Sequence, residues 1–228
     1  MARAPISVVI PTLNAADALA PCLGALGEGL NAGLIREVII TDGGSSDGTL
    51  SLAEQAGAVV VQGPASRGGQ LRRGCAAAKG DWLLILHTDS WFEEGWTDPV
   101  LKHLTTGQDQ AGYFQLRFRA KGLAPRVVER WANLRSRLFG LPYGDQGVLI
   151  RRDVYSEIGG YADIPLMEDV LIAQSLKRKL LPLSAIITTS AERYQRDGWV
   201  RRSLRNGWTL LRFKLGVDPE TLRRGYNR

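Results

Sequence analysis

The sequence is poor in cysteine and has no long apolar run. Its two cysteines, Cys22 and Cys75, lie far apart and match no metal-ligand or redox spacing, so we expect two reduced thiols in a cytoplasmic protein. The N-terminal segment lacks the long apolar stretch of a signal peptide. No run approaches the ~18 apolar residues of a membrane-spanning helix. These absences predict a cytosolic protein whose only membrane contact would be peripheral, at the inner face.

Two common nucleotide-binding motifs are also absent. No GxGxxG follows the first apolar segment, which disfavours a dinucleotide-binding Rossmann site. No GxxxxGK(S/T) occurs anywhere, which disfavours a P-loop NTPase. The chain has no internal repeat, low-complexity tract or Gly/Ser-rich linker either, so we expect a single domain over residues 1–228.

Charge is distributed unevenly along the chain. Residues 1–116 carry 7 Lys+Arg and 12 Asp+Glu, whereas residues 117–228 carry 22 and 11. The first half is therefore acidic and the second strongly basic. A basic half favours an anionic partner such as a phosphate, a lipid headgroup or a nucleic acid, and the alternative is a solvated basic surface.

The first half alternates short apolar segments with amphipathic ones. The apolar segments have the length of buried strands, and the segments between them have helical periodicity. This alternation predicts an α/β domain with a mostly parallel sheet covered by helices on both faces, and ligands that bind where the strands end. The predicted strands are 7–10, 37–41, 58–61 and 81–86, and the predicted helices begin near Asp17, after an N-cap at Asp47, and at Arg67.

The second half is less regular, and two of its helices combine an apolar stripe with many arginines. We expect these stripes to pack on the sheet, with the arginines facing water or a phosphate. In the alternative, both helices lie in a membrane interface and reach a lipid-linked acceptor. The stripe residues are Val127, Trp131, Leu134 and Leu138 in a helix over 125–139, and Val200, Leu204, Trp208, Leu211 and Leu215 in a helix over 200–215. The other predicted elements are strands 112–118, 148–150 and 185–189, a helix opened by Asp98 and a helix over 168–179.

Polar residues follow three of the predicted strands. They are the segments 12–14, 42–49 and 87–90, which come after the first, second and fourth strands. Each offers carboxylates, hydroxyls or free backbone N–H groups at the carboxyl edge of the sheet. A strand, a glycine-rich turn and a helix N-terminus together suit the phosphates of a nucleotide.

Five segments in this order resemble family 2 glycosyltransferases of the GT-A fold. The resemblance covers nearly the whole chain and is greatest to the short, soluble bacterial type with LHAD-like and MEDV segments. It implies a Rossmann-like, mostly parallel sheet flanked by helices. It also implies that residues 1–116 bind the nucleotide sugar and that residues 117–228, with a C-terminal amphipathic helix, bind the acceptor. The segments are SVVIPTLN (7–14), TDGGSSDGT (41–49), LHTDS (86–90), GDQGVLIRRDVYSEIGGY (144–161) and PLMEDV (165–170).

A divalent metal follows from the same resemblance. A sugar transfer from a nucleotide sugar must stabilise a diphosphate leaving group, and hard oxygen ligands suit Mg²⁺ or Mn²⁺. Asp89 matches the metal-binding acid of the family. The usual motif is DxD, and this chain has His87 at the first position, so His87 is a candidate second ligand or an ordinary packed histidine.

The donor site implied by the resemblance lies in the first half. Asp42 occupies the position of the acid that reads the base or ribose, and Gly43 replaces the usual second acid. Arg67 is a candidate phosphate clamp. Arg193 and Arg196 loosely match a later arginine element, and either could approach the diphosphate. The remaining candidate donor-binding residues are Pro11, Thr12, Asn14, Gly44 and Thr88.

The catalytic base is predicted from the MEDV segment. The acceptor hydroxyl must lose its proton as it attacks the anomeric carbon, and Asp169 would accept that proton. Glu168 would orient Asp169 or bind the acceptor, because adjacent helical residues point in different directions. Gly144, Asp145 and Gln146 are predicted to line the sugar or acceptor pocket.

Together these features predict an inverting, metal-dependent glycosyltransferase that uses a UDP- or GDP-sugar. The acceptor would be lipid-linked, a glycan or a small molecule, and not a nucleic acid. One alternative is a sugar-phosphate nucleotidyltransferase, but its GGxxxRMGxxK-like segment is missing after the first strand. The other is a non-enzymatic basic nucleotide- or nucleic-acid-binding module, which no aromatic-studded strand motif supports.

Overall fold

The computed structural model describes residues 4–226, apart from the side chain of Lys177. Residues 1–3 and 227–228, which the one-domain prediction included, lie outside the described residues. The strands are β1 (Ile6–Thr12), β2 (Ile35–Asp42), β3 (Val59–Gln62), β4 (Trp82–Ile85), β5 (Ser90–Phe92), β6 (Ala111–Phe118), β7 (Val148–Arg151) and β8 (Leu180–Thr189). The helices are α1 (Ala16–Ala25), α2 (Gly27–Asn31), α3 (Thr49–Gln55), α4 (Arg67–Ala77), α5 (Thr97–Thr106), α6 (Leu123–Phe139), α7 (Arg152–Glu157), α8 (Glu168–Leu176), α9 (Glu192–Asp197), α10 (Trp199–Lys214) and α11 (Pro219–Tyr226).

All of these strands belong to one mostly parallel sheet. Its order is β3-β2-β1-β4-β7-β6-β8-β5. The first four strands in this order run parallel to one another. β7 is antiparallel to both of its neighbours, whereas β6 and β8 are parallel and β5 pairs antiparallel with β8. The predicted α/β class with a mostly parallel sheet is confirmed, and the strands of the second half extend the same sheet.

The central strand β1 contributes to a core on each face of the sheet. Val8 packs in one cluster with Trp96, next to α5, and Val9 packs in a second cluster with Leu71 of α4. Side chains alternate in direction along a strand, so an unbroken apolar run such as that of β1 fills both cores. Helices α1 and α5 cover one face, and helices α4, α7 and α8 cover the other.

Strand β1 continues past the proline at which we expected it to end. Pro11 and Thr12 pair with Thr41 and Asp42 of β2. Pairing with β4 stops earlier, at Val9. Pro11 therefore has no strand partner on the β4 side. A proline is tolerated there because no backbone hydrogen bond to β4 would need its missing N–H. The predicted boundary at Ile10 is therefore two residues short.

Several short elements have no clear signal in the sequence. β5 has only 3 residues, and α7, α9 and α11 have 6, 6 and 8. The helix predicted near Asp17 is divided into α1 and α2, and the helix predicted over 168–179 ends at Leu176 and continues as a 3₁₀ turn. Helices this short depend on tertiary contacts and not on local propensity.

The expectation that the two apolar stripes pack on the sheet is wrong. Trp131 of α6 is 57% exposed and Trp208 of α10 is 60% exposed. The buried residues of α6 are instead small or polar, including Glu129, Ala132 and Ser136. Every stripe residue predicted in these helices faces solvent.

The edge of β6 explains why α6 turns its polar face inward. β7 pairs with β6 only at Gly112 and Tyr113, so the later residues of β6 lack a strand neighbour on that side. Asn133 of α6 accepts the N–H of Leu116 (2.9 Å) and donates to its carbonyl (3.0 Å). Glu129 accepts the N–H of Phe118 (2.8 Å). Because buried backbone groups must be paired, these polar side chains take the inner face of α6.

Helix α10 is attached through charged and aromatic groups. Arg202 is buried, donates to Asp197 (3.2 Å) and lies over the ring of Tyr226. Thr209 is the other buried residue of this helix. Within residues 4–226, no helix combines the length and the hydropathy needed to cross a membrane.

Candidate active site at the carboxyl edge of the sheet

One side chain of α4 joins the carboxyl ends of β1 and β2. Gln70 is buried, and its Nε2 donates to the carbonyls of Thr12 (2.7 Å) and Thr41 (2.8 Å). This fixes both strand ends relative to the N-terminus of α4. The only sequence signal for Gln70 is a polar residue in the first turn of a helix, and sequence reasoning missed it.

Asp42 organises the loop that follows β2. Its fully buried carboxylate accepts the Thr12 hydroxyl (3.0 Å) and the N–H groups of Gly44 and Ser45 (2.7 Å each). The Ser45 hydroxyl donates to it as well. Burial opposes ionisation, but these hydrogen bonds outweigh it and hold the pKa of Asp42 below its usual value. Both carboxylate oxygens are thus already used within the protein.

Asn14 connects this loop to the end of β1. Its backbone is left-handed, with φ of 49°, a conformation that asparagine adopts more readily than most residues. The Asn14 N–H donates to the Ser45 hydroxyl (2.8 Å), and its Oδ1 accepts the Ser46 N–H (2.9 Å). The N-cap of α3 is Gly48, one residue after the predicted Asp47, although the Asp47 carboxylate accepts the Thr49 N–H (3.0 Å) at the start of this helix. The two loops therefore form one ordered unit.

The N-terminus of α4 packs directly on the loop that precedes α8. A Cβ atom at Gly68 would lie 2.0 Å from the carbonyl oxygen of Ala162, so only glycine fits there. The Gly68 N–H donates to the carbonyl of Ile164 (3.0 Å). This close approach brings Arg67 beside Glu168, with 3.7 Å between Nε and Oε1.

Helix α8 begins after a residue with unusual backbone geometry. Met167 has φ of 71°, which is rare for a side chain of this size and is found mainly where surrounding structure enforces it. The turn makes Glu168 and Asp169 the first residues of α8. Oδ2 of Asp169 accepts the Gly144 N–H (2.9 Å), and Oδ1 accepts the Val170 N–H (2.8 Å). Sequence reasoning did not foresee the role of Met167.

The two adjacent acids have different environments. Glu168 is 1% exposed, and neither of its carboxylate oxygens has a hydrogen-bond partner among the described residues. Burial and the neighbouring charge of Asp169 raise the pKa of Glu168, against the opposing effect of Arg67. Asp169 is only partly buried. Both acids line one cleft together with His87 and Gly144.

His87 lies under the short 3₁₀ turn Gly144–Gln146. A Cβ atom at Gly144 would lie 2.4 Å from the His87 ring, so the turn packs closely on the imidazole. Burial, and then the charge of Arg67, lower the pKa of His87, so the imidazole is neutral. A neutral imidazole can act as a metal ligand.

Asp145 and Gln146 have separate roles in this turn. One carboxylate oxygen of Asp145 is buried and has no hydrogen-bond partner within the described part of the chain, and burial raises the pKa of Asp145 to about 6 despite the nearby charge of Arg135. Gln146 is fully buried, accepts the Ser136 hydroxyl (2.6 Å) and donates to the Phe114 carbonyl (3.1 Å). The Gln146 side chain therefore fastens α6 to β6 and lies away from the surface of the cleft.

Arg135 of α6 was not foreseen from the sequence. Its guanidinium lies 3.4 Å from the centroid of the Tyr143 ring and donates to the Leu141 carbonyl (3.1 Å). The inner side of α6 thus supports the segment that carries Gly144 and Asp145.

Asp89 follows β4 and lies next to the cleft. Among the described residues its carboxylate accepts only a long hydrogen bond, from the Ser90 hydroxyl (3.4 Å). Its backbone carbonyl accepts Arg119 (2.9 Å), which lies over the ring of Trp91. Thr88 is partly buried beside it. The carboxylate is therefore free to meet a ligand.

A metal ion at Asp89 would need ligands from a substrate as well as from the protein. Within residues 4–226, no group of three or more His, Cys, Asp or Glu side chains is arranged to hold a metal ion. Asp89 and the neutral His87 offer one hard oxygen and one nitrogen. Mg²⁺-type sites of this kind use one or two protein carboxylates and complete the shell with phosphate oxygens and water.

The two arginines of α9 differ in their contacts. Arg193 is exposed, and its charge is among those that lower the pKa of His87. Arg196 pairs with Asp197 (2.9 Å), which also binds Arg202. Of the two, Arg193 is therefore the better placed to meet a ligand in the cleft.

The fold recurs in solved glycosyltransferases. TarS of S. aureus superimposes with a TM-score of 0.65 at 18% identity, over 83% of this chain and 38% of that one. Glucosyl-3-phosphoglycerate synthase of Mycobacterium tuberculosis, solved with Mn²⁺, UDP and glucosyl-3-phosphoglycerate, gives a TM-score of 0.56 at 21% identity, over 82% and 70%. These likenesses define the GT-A fold that the sequence predicted.

Sequence comparison assigns the family. A profile described as glycosyl transferase family 2 matches residues 7–158. Glycosyltransferase AglJ of Haloferax volcanii is 34% identical over 107 residues, which is 46% of this chain and 34% of that protein's length. The chain belongs to glycosyl transferase family 2, as predicted. It spans about a third of the length of this curated relative.

Proposed function

We propose that this chain transfers a sugar from a nucleoside-diphosphate donor, a UDP- or GDP-sugar, to the hydroxyl of an acceptor. The main support is the cleft in which His87, Gly144, Glu168 and Asp169 meet, beside Asp89 and Arg67. Residues from four separate segments thus meet at the carboxyl edge of the sheet, where α/β proteins bind ligands. They include the free carboxylate of Asp89, the buried acid Glu168 and the guanidinium of Arg67.

The solved relatives support the donor class and the metal. The M. tuberculosis synthase was solved with UDP and Mn²⁺, and TarS was solved with UDP and with UDP-GlcNAc. In this chain Asp89, with His87 as a second candidate, would hold the ion. When bound, the ion would neutralise charge on the diphosphate leaving group.

The donor would meet groups that are already fixed in place. Asp42 arranges the loop after β2, with Gly44 at φ of 98°, and Asn14 ties that loop to Thr12 and Pro11 at the end of β1. In this arrangement Asp42 acts through the loop, because its oxygens are engaged. Pre-organised polar groups bind a ligand without a further ordering cost.

The proton of the acceptor hydroxyl would pass to Asp169. Asp169 is partly exposed to the cleft, and the Gly144 N–H fixes its orientation. As the O–H proton leaves for Oδ2 or Oδ1, the acceptor oxygen bonds to the anomeric carbon and the nucleoside diphosphate departs with the electrons of the broken bond. A single displacement inverts the configuration of that carbon. Glu168 is buried beside Arg67, and its charge would influence how readily Asp169 accepts the proton.

A donor screen tests the proposal. Calorimetry with UDP and GDP, in Mn²⁺ and then in EDTA, should show metal-dependent binding to the wild-type protein. A nucleoside-diphosphate release assay with acceptor mixtures then measures transfer. Absence of binding for every nucleoside diphosphate would refute the proposal. The exposed α5 variant Asp98→Asn controls for general effects of removing an acid.

A further inference from the structure

The outer faces of α6 and α10 form the main exposed apolar surface of the described residues. Of 16 exposed large apolar side chains, 11 belong to the ends or outer faces of these two helices. The two helices also contact each other, so their stripes lie in one region of the protein. We call this region the α6–α10 surface. It consists of Leu123, Val127, Trp131, Leu134, Leu138, Phe139, Val200, Leu204, Trp208, Leu211 and Leu215.

This surface is bordered by positive charge and lacks acids. Arg130 and Arg137 of α6 and Arg201 and Lys214 of α10 are exposed. The acid of α6, Glu129, is buried and bound to the Phe118 N–H and to Arg126. The sequence of α10 contains no Asp or Glu. No exposed acid of α6 or α10 therefore neutralises the positive charges of these arginine and lysine side chains.

We propose that the α6–α10 surface docks on a lipid bilayer that contains anionic lipids. Exposed apolar stripes with tryptophan and flanking arginines match the chemistry of a bilayer interface, which offers acyl chains next to phosphate. A second copy of the chain would present the same arginines to each other, and like charges across an interface are unfavourable. Charge complementarity thus selects the bilayer over self-association.

The inner faces of the same helices reach the cleft. On α6, Arg135 supports Tyr143 and the segment that leads to Gly144 and Asp145. On α10, Leu210 and Phe213 pack in the cluster that contains Met167, the residue before α8. Docking would therefore bring the cleft to the membrane surface, where a lipid-borne acceptor is presented. This consequence rests on the proposed function, whereas docking itself does not.

Vesicle flotation tests the docking. The full chain is mixed with phosphatidylcholine vesicles, with and without phosphatidylglycerol, at low and high salt. We expect binding to the anionic vesicles only, weakened by salt because the charges are screened. Quenching of exposed tryptophan by brominated lipid should accompany binding.

Two sets of variants localise the contact. Trp131→Ser/Trp208→Ser should weaken vesicle binding about tenfold or more, since each indole contributes apolar burial. Arg130→Gln/Arg137→Gln/Arg201→Gln should reduce the dependence on anionic lipid. The matched control is Leu30→Ser/Leu101→Ser, whose side chains are 53% and 51% exposed on α2 and α5, and it should bind like the wild type.

The contrary outcomes are distinct. No flotation at low salt, or equal flotation of the tryptophan variant, would overturn the proposal. Light scattering that shows a wild-type dimer and a monomeric Trp131→Ser/Trp208→Ser variant would assign the surface to a second copy instead. Vesicle binding needs neither donor nor metal, so its failure leaves nucleotide calorimetry as an independent test of the proposed function.

Discussion

Two regions of the molecule differ in how their polar groups are hydrogen-bonded. One consists of the loops after β1 and β2, and the other surrounds α6, α8 and α10. In the first region Asp42 and Asn14 are bonded within the protein, and Gln70 holds the strand ends. In the second region Glu168 and Asp145 keep buried oxygens without partners among the described residues, and two helices expose apolar stripes. We call the first region, whose polar groups are hydrogen-bonded within the protein, the complete side. We call the second region, which has buried oxygens without such bonds and exposed apolar stripes, the incomplete side.

The difference fits the two substrates of a transferase. A preformed loop suits a donor whose phosphates and base are bound in one fixed pose. Buried carboxylates without hydrogen bonds and exposed apolar faces carry a free-energy cost, which a bound ligand or surface would reduce.

The largest effect is expected on the incomplete side, from Asp169→Asn. Removing a general base lowers turnover by about 10²–10⁴-fold, whereas donor affinity should stay near that of the wild type. Steady-state transfer assays with calorimetry of the donor measure both. Turnover above about a tenth of wild type would place the base elsewhere. Asp98→Asn should leave turnover unchanged.

On the complete side, Asp42→Asn should destabilise the fold. Hydrogen bonds to a charged group contribute about 1.5–3 kcal/mol, and an amide cannot accept all four donors. The folded-state pKa of Asp42 is lowered, so its stabilisation is fully present above the usual carboxyl pKa and is lost as pH falls through the folded value. Urea unfolding should therefore show a wild-type advantage at pH near 7 that shrinks below about pH 4. An equal gap at both pH values would contradict the argument.

The contact between the two regions is tested by Gly68→Ala. Its added methyl group would meet the Ala162 carbonyl at 2.0 Å, so the free energy of unfolding should fall by about 1–3 kcal/mol. Gly207→Ala in α10 is the matched control, since a Cβ atom there has nothing within 4 Å. That variant should gain about 0.5–1 kcal/mol from helix propensity. Thermal or urea unfolding of both variants decides the point.

The smallest effect is expected from Asp89→Asn. The loss of one carboxylate ligand should weaken metal-dependent nucleotide binding about tenfold, or about 1.4 kcal/mol. Calorimetry in Mn²⁺ should show this loss, while residual binding in EDTA should match the wild type. Equal Mn²⁺-dependent affinity in both proteins would remove Asp89 from the metal site.

Prediction from the sequence was most accurate for the polar loops that directly follow a strand. The loops after β1, β2 and β4 lie where the alternating pattern predicted, because parallel strands place their carboxyl ends at one edge. It worked least well for Gln70, Arg135 and Met167, whose roles depend on partners distant in the chain or on backbone geometry. The apolar stripe of α6 was misassigned because the periodic pattern does not reveal which face a helix turns inward.

The sequence by itself therefore determined the α/β class and the family, and it predicted the sites at Asp89 and Asp169, since strand periodicity and short motifs are local properties. Only the tertiary structure decided that Asp42 is engaged by its own loop, that Gln146 belongs to the core and that the tryptophans of α6 and α10 face outward. The physical reason for the orientation of α6 is the unpaired edge of β6. Its backbone groups require polar partners, and Glu129 and Asn133 provide them at the expense of the apolar stripe.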